Sequence, residues 1–426
     1  MSTVTFSRTR PGTTLEKPLW RVLGGCRICG STELLPLLDL GEQAIANAFH
    51  HPGEKDPQKA PLELLRCAGC SLVQLGHSVD TDRMYATYWY RSGTNRTMRD
   101  HLRGLVEEAE KVADVRNGDL VIDVGCNDGT TLSCWSPGVT TIGVDPSNIS
   151  PKRADAFVND YFTWNNVAPA LGERRAKVLT SIAMFYDLDE PRAFARDVAA
   201  CLANDGIWVL ELSYLPSMLE KVSYDTICHE HVTYYRIETF ERVLEDTGLQ
   251  LFDVAFNECN GGSFRLFVAR AGTRAPTPRL VAAHAEELRG AFDGDAPYQR
   301  FQAQVEASRT ALRAFFARAR TEGKQVWGYG ASTKGMVTLQ FCGIGKDDVV
   351  AIAERNPDKF GLLTPGTDIP ITSESTMRQA RPDYLLVLPW HFLPEFLERE
   401  QAYLNAGGKI VVPLPEFRIL TGAKGT

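Results

Sequence analysis

The stretch "GDLVIDVGCNDGTTL", residues 118–132, decides the fold class. An apolar run ending at Asp123 predicts a buried strand. Gly125 and Gly129 then mark a turn, and the threonines after it are read as the start of a helix. "VTTIGVDPS" (139–147) supplies a second strand ending at Asp145, about twenty residues after the turn. Strand, glycine turn, helix and strand make the first unit of a Rossmann-like α/β sheet.

The spacing of the glycines says which ligand suits that turn. Asp123-x-Gly125-x-x-x-Gly129 lacks the close G-x-G-x-x-G that cradles a pyrophosphate. Backbone can still approach a ligand closely at both glycines, and Asp145 is placed to accept hydrogen bonds from ribose hydroxyls. S-Adenosylmethionine fits this pattern better than NAD does. The donor-binding set expected here is Asp123, Gly125, Asn127, Asp128, Gly129, Asp145 and Ser181.

Outward from this unit, strands are predicted at "AKVLTSIAMF" (176–185), "GIWVLEL" (206–212), "LQLFDVAF" (249–256) and "FRLFVAR" (264–270), and an amphipathic helix at 98–114. A doubly wound methyltransferase domain is expected over 98–272. Residues 273–322 read as a helical connector. The pattern restarts at "KQVWGYGASTKGMVTLQF" (324–341), so 323–420 is expected to be a second, smaller Rossmann-like domain. Gly330-Ala331-Ser332-Thr333-Lys334-Gly335 is no Walker loop, because Gly-Lys-Ser/Thr is out of order.

On the N-terminal side, "CRIC" (26–29) and "CAGC" (67–70) are two CxxC knuckles. Two knuckles complete a tetrahedral Cys₄ zinc site, and no open coordination position is evident, so a structural role is expected for Cys26, Cys29, Cys67 and Cys70. A zinc-binding domain over 21–97 follows. The first twenty residues have no apolar core of a signal sequence and are expected to be a ragged tail.

Ten cysteines, four of them in metal-type pairs, point to a cytoplasmic chain. No apolar run is long enough to span a membrane. A net charge of −7 argues against a nucleic-acid partner.

"CHEHVTYY" (228–235) holds two of the chain's eight histidines around one glutamate. The two-residue spacing is wrong for HExxH metal binding on a helix, and a third ligand for a strand is not evident. A histidine beside a carboxylate suits acid–base work, with metal binding and a purely structural role as the alternatives. The oligomeric state is left open, a monomer included.

In order along the chain stand the paired CxxC knuckles, "YRSGTN" (90–95), "VIDVGCNDGTTL", "CHEHVTYY", "NGGSFR" (260–265), "GYGASTKG" (328–335) and "AERNPDKFGLLTPGTDIPI" (353–371). Together they resemble the sugar C-methyltransferase family, which adds methyl branches to nucleotide-linked 4-keto deoxysugars. The resemblance implies proton abstraction next to a ketone, an enolate, and attack of its carbon on the methyl of S-adenosylmethionine. It implies His231 as base, Glu230 assisting it, and Tyr90 reaching the same pocket. Acceptor contacts are expected from Tyr234, Tyr235, Asn260, Arg265, Lys334, Asn356 and Lys359, with Trp390 and His391 near the nucleotide.

Family members often carry a tyrosine where Cys228 stands and a histidine where Asn260 stands. Some also have a histidine in the segment matching "SIAMFYDLDE". These departures fall on the acceptor side. The rival functions are sugar O- or N-methylation, and an NAD-dependent nucleotide-sugar oxidoreductase built on the C-terminal domain.

Overall fold

The computed structural model describes residues 3–7, 18–55, 57–85 and 89–422. Its largest sheet has eight strands, in the spatial order Val4–Ser7, Ala156–Asn159, Thr140–Val144, Leu120–Val124, Ala176–Ile182, Leu202–Ser213, Ser263–Arg270 and Leu249–Asn257. The first six are parallel and the last two pair antiparallel. Every residue of Leu120–Val124 is buried, as expected for a parallel strand covered on both faces. From this strand the chain winds outward to one side and then to the other. The order reverses between Leu120–Val124 and Ala176–Ile182, and sheets of this kind bind ligands at such a switch point.

Helix Arg96–Ala113 covers one face. Met98, Leu102, Leu105, Val106, Ala109 and Ala113 form its buried stripe, at three- and four-residue spacing. Asn95 caps it by accepting from the Thr97 amide.

Two expectations need correction. No α-helix follows the glycine turn; only a single 3₁₀ turn, Leu132–Cys134, precedes the next strand. Pro137 and Gly138 leave too little chain for more. The N-terminus is not wholly a ragged tail either, because Val4–Ser7 adds a parallel edge strand against Ala156–Asn159.

The zinc module is an antiparallel sheet of Leu34–Ala44, Lys59–Cys67, Val73–Leu75 and, unexpectedly, Thr233–Tyr234. That last strand belongs by sequence to the methyltransferase domain. Its register sets Thr233 opposite Gln74 and Tyr234 opposite Val73. The C-terminal sheet runs Ile371–Ser373, Ile352–Glu354, Val326–Tyr329, Tyr384–Val387, Lys409–Val412 and Arg418–Thr421, parallel except at its last strand. Helices Pro278–Gly290 and Ala296–Thr321 form the connector.

The modules share cores. Leu62, Leu64 and Val73 of the zinc sheet pack in one cluster with Ile227, Cys228 and Val232 and with Trp327 and Leu385 of the C-terminal domain. Cys26, Cys67 and Cys70 pack in another with Phe185, Trp208 and Tyr235 of the methyltransferase sheet. Residues 224–235 are thus wedged between all three modules. Among the described residues, no helix is long and apolar enough to cross a membrane.

Candidate active site and zinc centre

The four knuckle cysteines converge. Cys26 and Cys70 sulfurs lie 3.4 Å apart, Cys29 and Cys67 sulfurs 3.5 Å, and all four within 4.8 Å of one another. Four thiolates at ~2.3 Å from one tetrahedral ion need this compactness, so the set fits zinc. The second knuckle closes against the first where Gly69 lacks a side chain, since a Cβ there would sit 3.3 Å from Ser31 Cβ and 3.5 Å from Cys29 Sγ.

At the switch point of the large sheet lies a cavity of about 600 Å³. One of its walls is the glycine turn. Gly125 takes φ +72, a left-handed conformation that favours glycine, and a Cβ on it would crowd Met184 at 3.1 Å. Asp145 is buried at the end of its strand. One carboxylate oxygen accepts from the Asn127 amide at 2.8 Å, and the other from the amide (2.9 Å) and hydroxyl (2.6 Å) of Ser147. Asp123 accepts from Thr180 Oγ1 at 2.6 Å, and burial raises its carboxyl to about 7. A glycine-lined turn and a strand-end carboxylate opening on one cavity fit S-adenosylmethionine.

Other donor-side candidates do structural work. The Asp128 carboxylate accepts from the Gly93 and Thr130 amides and the Thr130 hydroxyl, closing the turn rather than lining the cavity. Gly129 faces Pro151 at a Cβ distance of 2.8 Å, also outside the cavity. Ser181 is fully buried, accepting from the Trp208 indole at 2.8 Å.

The opposite wall carries the "CHEHVTYY" loop. His231 Nδ1 pairs with the Thr226 carbonyl at 2.8 Å. A carbonyl can only accept, so Nδ1 carries the proton and Nε2 is left as the ring's basic nitrogen. Burial, aided by the charge of Lys334, lowers this imidazole to about 3, so it stands neutral. The Tyr186 ring lies 4.1 Å from it, centroid to centroid. Burial raises the Glu230 carboxyl to about 7, with Lys359 opposing. Glu230 in turn raises its neighbour Asp187, which burial already pushes well up. Both acids line the cavity.

His229 turns away, pairing Nε2 with the Ala60 carbonyl at 3.1 Å beside the His77 ring. The two histidines therefore share no ligand site. Cys228, Glu230 and His231 do present ligand atoms within 4.8 Å of one another, a juxtaposition the sequence did not suggest.

Tyr90 lines the cavity with 48% of its surface exposed; Tyr88 lies outside the described residues. Asn260 and Lys334 line it too, tied by a 2.5 Å bond from Lys334 Nζ to the Asn260 carbonyl. His391 joins them, while Trp390 instead packs over Gly261 and donates to Asp225.

The remaining acceptor-side expectations are not met by the cavity wall. Tyr234 and Tyr235 are buried in the core, because pairing of Thr233–Tyr234 with the zinc sheet draws the segment inward. Arg265 is engaged by Glu211 and Glu108. Asn356 accepts from the Asp358 amide as a cap, and Lys359 donates to the Ala331 carbonyl at 2.7 Å over the Phe49 ring.

In the C-terminal domain, Glu354 accepts from the Ala331 amide of the glycine turn at 2.8 Å. Ser332, Thr333 and Lys334 face the shared cavity. Sequence reasoning missed Met184, Tyr186, Asp187, Glu211 and Cys259. Three of these lie in the loop after the parallel strand Ala176–Ile182, and Glu211 stands near the C-terminal end of Leu202–Ser213, which was a usable signal. Cys259 had none.

Three family models match the chain in the order of these modules. Residues 26–85 match the family model described as "Putative zinc binding domain", 91–254 match "Methyltransferase domain", and 258–415 match "C-methyltransferase C-terminal domain". The C-methyltransferase NovU of Streptomyces niveus is 29% identical over 413 residues, 94% of this chain and 98% of the relative. Among solved structures, an S-adenosylmethionine-dependent methyltransferase from Clostridium acetobutylicum ATCC 824 aligns over 41% of this chain and 92% of its own, at 14% identity and a TM-score of 0.33. Magnesium protoporphyrin IX methyltransferase from Synechocystis PCC 6803 aligns over 45% and 89%, at 14% identity and a TM-score of 0.30.

Proposed function

Since this chain is an S-adenosylmethionine-dependent methyltransferase carrying the zinc-binding, methyltransferase and C-methyltransferase C-terminal domains in that order, we propose that it methylates a ring carbon next to the ketone of a nucleotide-linked keto deoxysugar. The observation that carries this proposal is His231. Its Nδ1 is tied to the Thr226 carbonyl, its imidazole is neutral, and it lines the same cavity as the donor turn.

In the proposed reaction, His231 Nε2 takes the proton from the carbon next to the ketone, and the electron pair passes to the carbonyl oxygen as an enolate. Glu230, buried beside the histidine, accepts or returns protons as the site turns over. Tyr90 and Lys334 supply hydrogen-bond donors on the cavity wall for developing negative charge. Asp145 and the turn Gly125–Asn127 hold the donor, which supplies an electrophilic methyl. Ser332, Thr333 and Lys334 face the nucleotide end of the acceptor. The proposed division is 21–97, 98–272, 273–322 and 323–420, with Thr233–Tyr234 lent to the zinc sheet, and the proposed location is the cytoplasm, where ten cysteines, four of them at the zinc centre, stay reduced.

The test is mass spectrometry of the protein incubated with S-adenosylmethionine and a panel of nucleotide-linked 4-keto deoxysugars, in ordinary and heavy water. A methyl on ring carbon, with deuterium washed in next to the ketone, supports the proposal. Methyl on oxygen or nitrogen without wash-in would replace it with O- or N-transfer.

A further inference from the structure

We propose that Arg27, inside the first zinc knuckle, is a positioning residue for the acid–base loop, so that the zinc module sets where His231 stands. The inference rests on the assignment of His231 as base.

Arg27 lies between two cysteines of the Cys₄ centre, and its side chain is entirely buried. A guanidinium offers five N–H donors in a rigid plane, and this one has five partners. Nε donates to Asp189 Oδ1 at 3.1 Å. Nη1 donates to the carbonyls of Leu75 at 2.8 Å and Val232 at 3.3 Å. Nη2 donates to the His77 carbonyl at 3.0 Å and Ser78 Oγ at 2.9 Å. Its backbone amide donates to the Gln74 side chain at 3.0 Å, opposite Thr233 in the sheet register.

Val232 directly follows His231. Its carbonyl also accepts from the Leu75 amide, and its own amide donates to the Tyr186 carbonyl, both at 2.9 Å. Val232, next to the base, is therefore held through its carbonyl by the knuckle and the zinc sheet and through its amide by Tyr186 of the cavity wall. Asp189, the carboxylate that neutralises Arg27, lines the same cavity. Lysine keeps the charge but has three donors on one atom, and cannot span partners on both strands.

The test uses Arg27→Lys in the full-length, zinc-loaded protein. Zinc stoichiometry and the S-adenosylmethionine Kd are expected within twofold of the parent. Deuterium wash-in next to the ketone of the keto-sugar panel should slow about 10²-fold, the cost of a base misplaced by ~1 Å. Amide exchange should quicken over residues 228–235 and stay unchanged over 118–132. Ser78→Ala, which removes one partner of the fork, keeps the question open to refutation should Arg27→Lys fold poorly; wash-in should then slow ~5-fold. In the double variant with His231→Asn, Arg27→Lys should add no further loss. Unchanged loop exchange in a zinc-loaded variant overturns the proposal whatever the acceptor proves to be. Intact wash-in in His231→Asn alone overturns the base assignment instead.

Discussion

The indole nitrogen of Trp390 donates to Asp225 Oδ2 at 2.8 Å, joining the C-terminal domain to the turn Tyr224–Thr226. The carbonyl of the next residue, Thr226, fixes the tautomer of His231. Asp225 is fully buried, and burial raises its carboxyl. Trp390→Phe should leave that acid short of a partner, costing about 1–3 kcal/mol in urea unfolding. It should also lower kcat about tenfold, with donor affinity unchanged. An unaltered kcat would show that this bond only fastens the domains together.

His231→Asn keeps a group able to donate toward the Thr226 carbonyl but removes the basic nitrogen. Turnover should fall by about 10² to 10⁴, while calorimetry with S-adenosylmethionine returns the parent Kd. Loss of donor binding instead would contradict the base assignment.

Asp145→Ala should act in the opposite order. The donor loses its expected ribose acceptor, and the Asn127 amide and Ser147 lose theirs. A Kd raised about 10- to 100-fold is expected, the range of a hydrogen bond to a charged group. Single-turnover rates at saturating donor should fall much less.

Cys26→Ser should halve or abolish bound zinc and lower folding yield, because a structural zinc site supplies folding free energy directly. Atomic absorption and thermal melting report both. Full zinc content with a native melt would remove Cys26 from the ligand set.

Acid should destabilise the loop and zinc-sheet junction. Burial lowers His77 to about 3 and His229 to about 4. The folded state therefore binds fewer protons than the unfolded chain between the ordinary histidine value near 6.5 and these values. Their stability contribution is full above ~6.5 and is lost as pH falls through that window. Glu230 runs the other way: raised to about 7, it contributes most below the ordinary glutamate value, and that contribution is lost as pH rises through 7. His77→Phe should flatten the acid limb of a melting-temperature profile between pH 4 and 6.5. An unchanged limb would assign acid sensitivity to other groups.

Local pattern carried much of this protein into view. Buried parallel strands read as apolar runs, CxxC pairs read as a zinc centre, and Asp145 follows its strand directly at the cavity, because each depends on neighbours along the chain. Asp128, Gly129 and Ser181 were also visible at the turn, yet which of a turn's residues face a ligand and which close the turn depends on partners such as Gly93, Pro151 and Trp208 from elsewhere.

What the sequence determined by itself is therefore the set of modules, their order and the residue types they bring: thiolates for zinc, a glycine turn after the first strand of the large sheet, and a histidine beside a carboxylate in the loop proposed for proton transfer. Tertiary structure alone decided that Thr233–Tyr234 pairs with the zinc sheet, which buries Tyr234 and Tyr235 while His231 lines the cavity. It alone brought Arg27 to the Val232 carbonyl, 205 residues away in sequence. Periodicity records which face of an element is apolar. It carries no record of which distant element that face will meet, and here that meeting places His231 at the cavity wall.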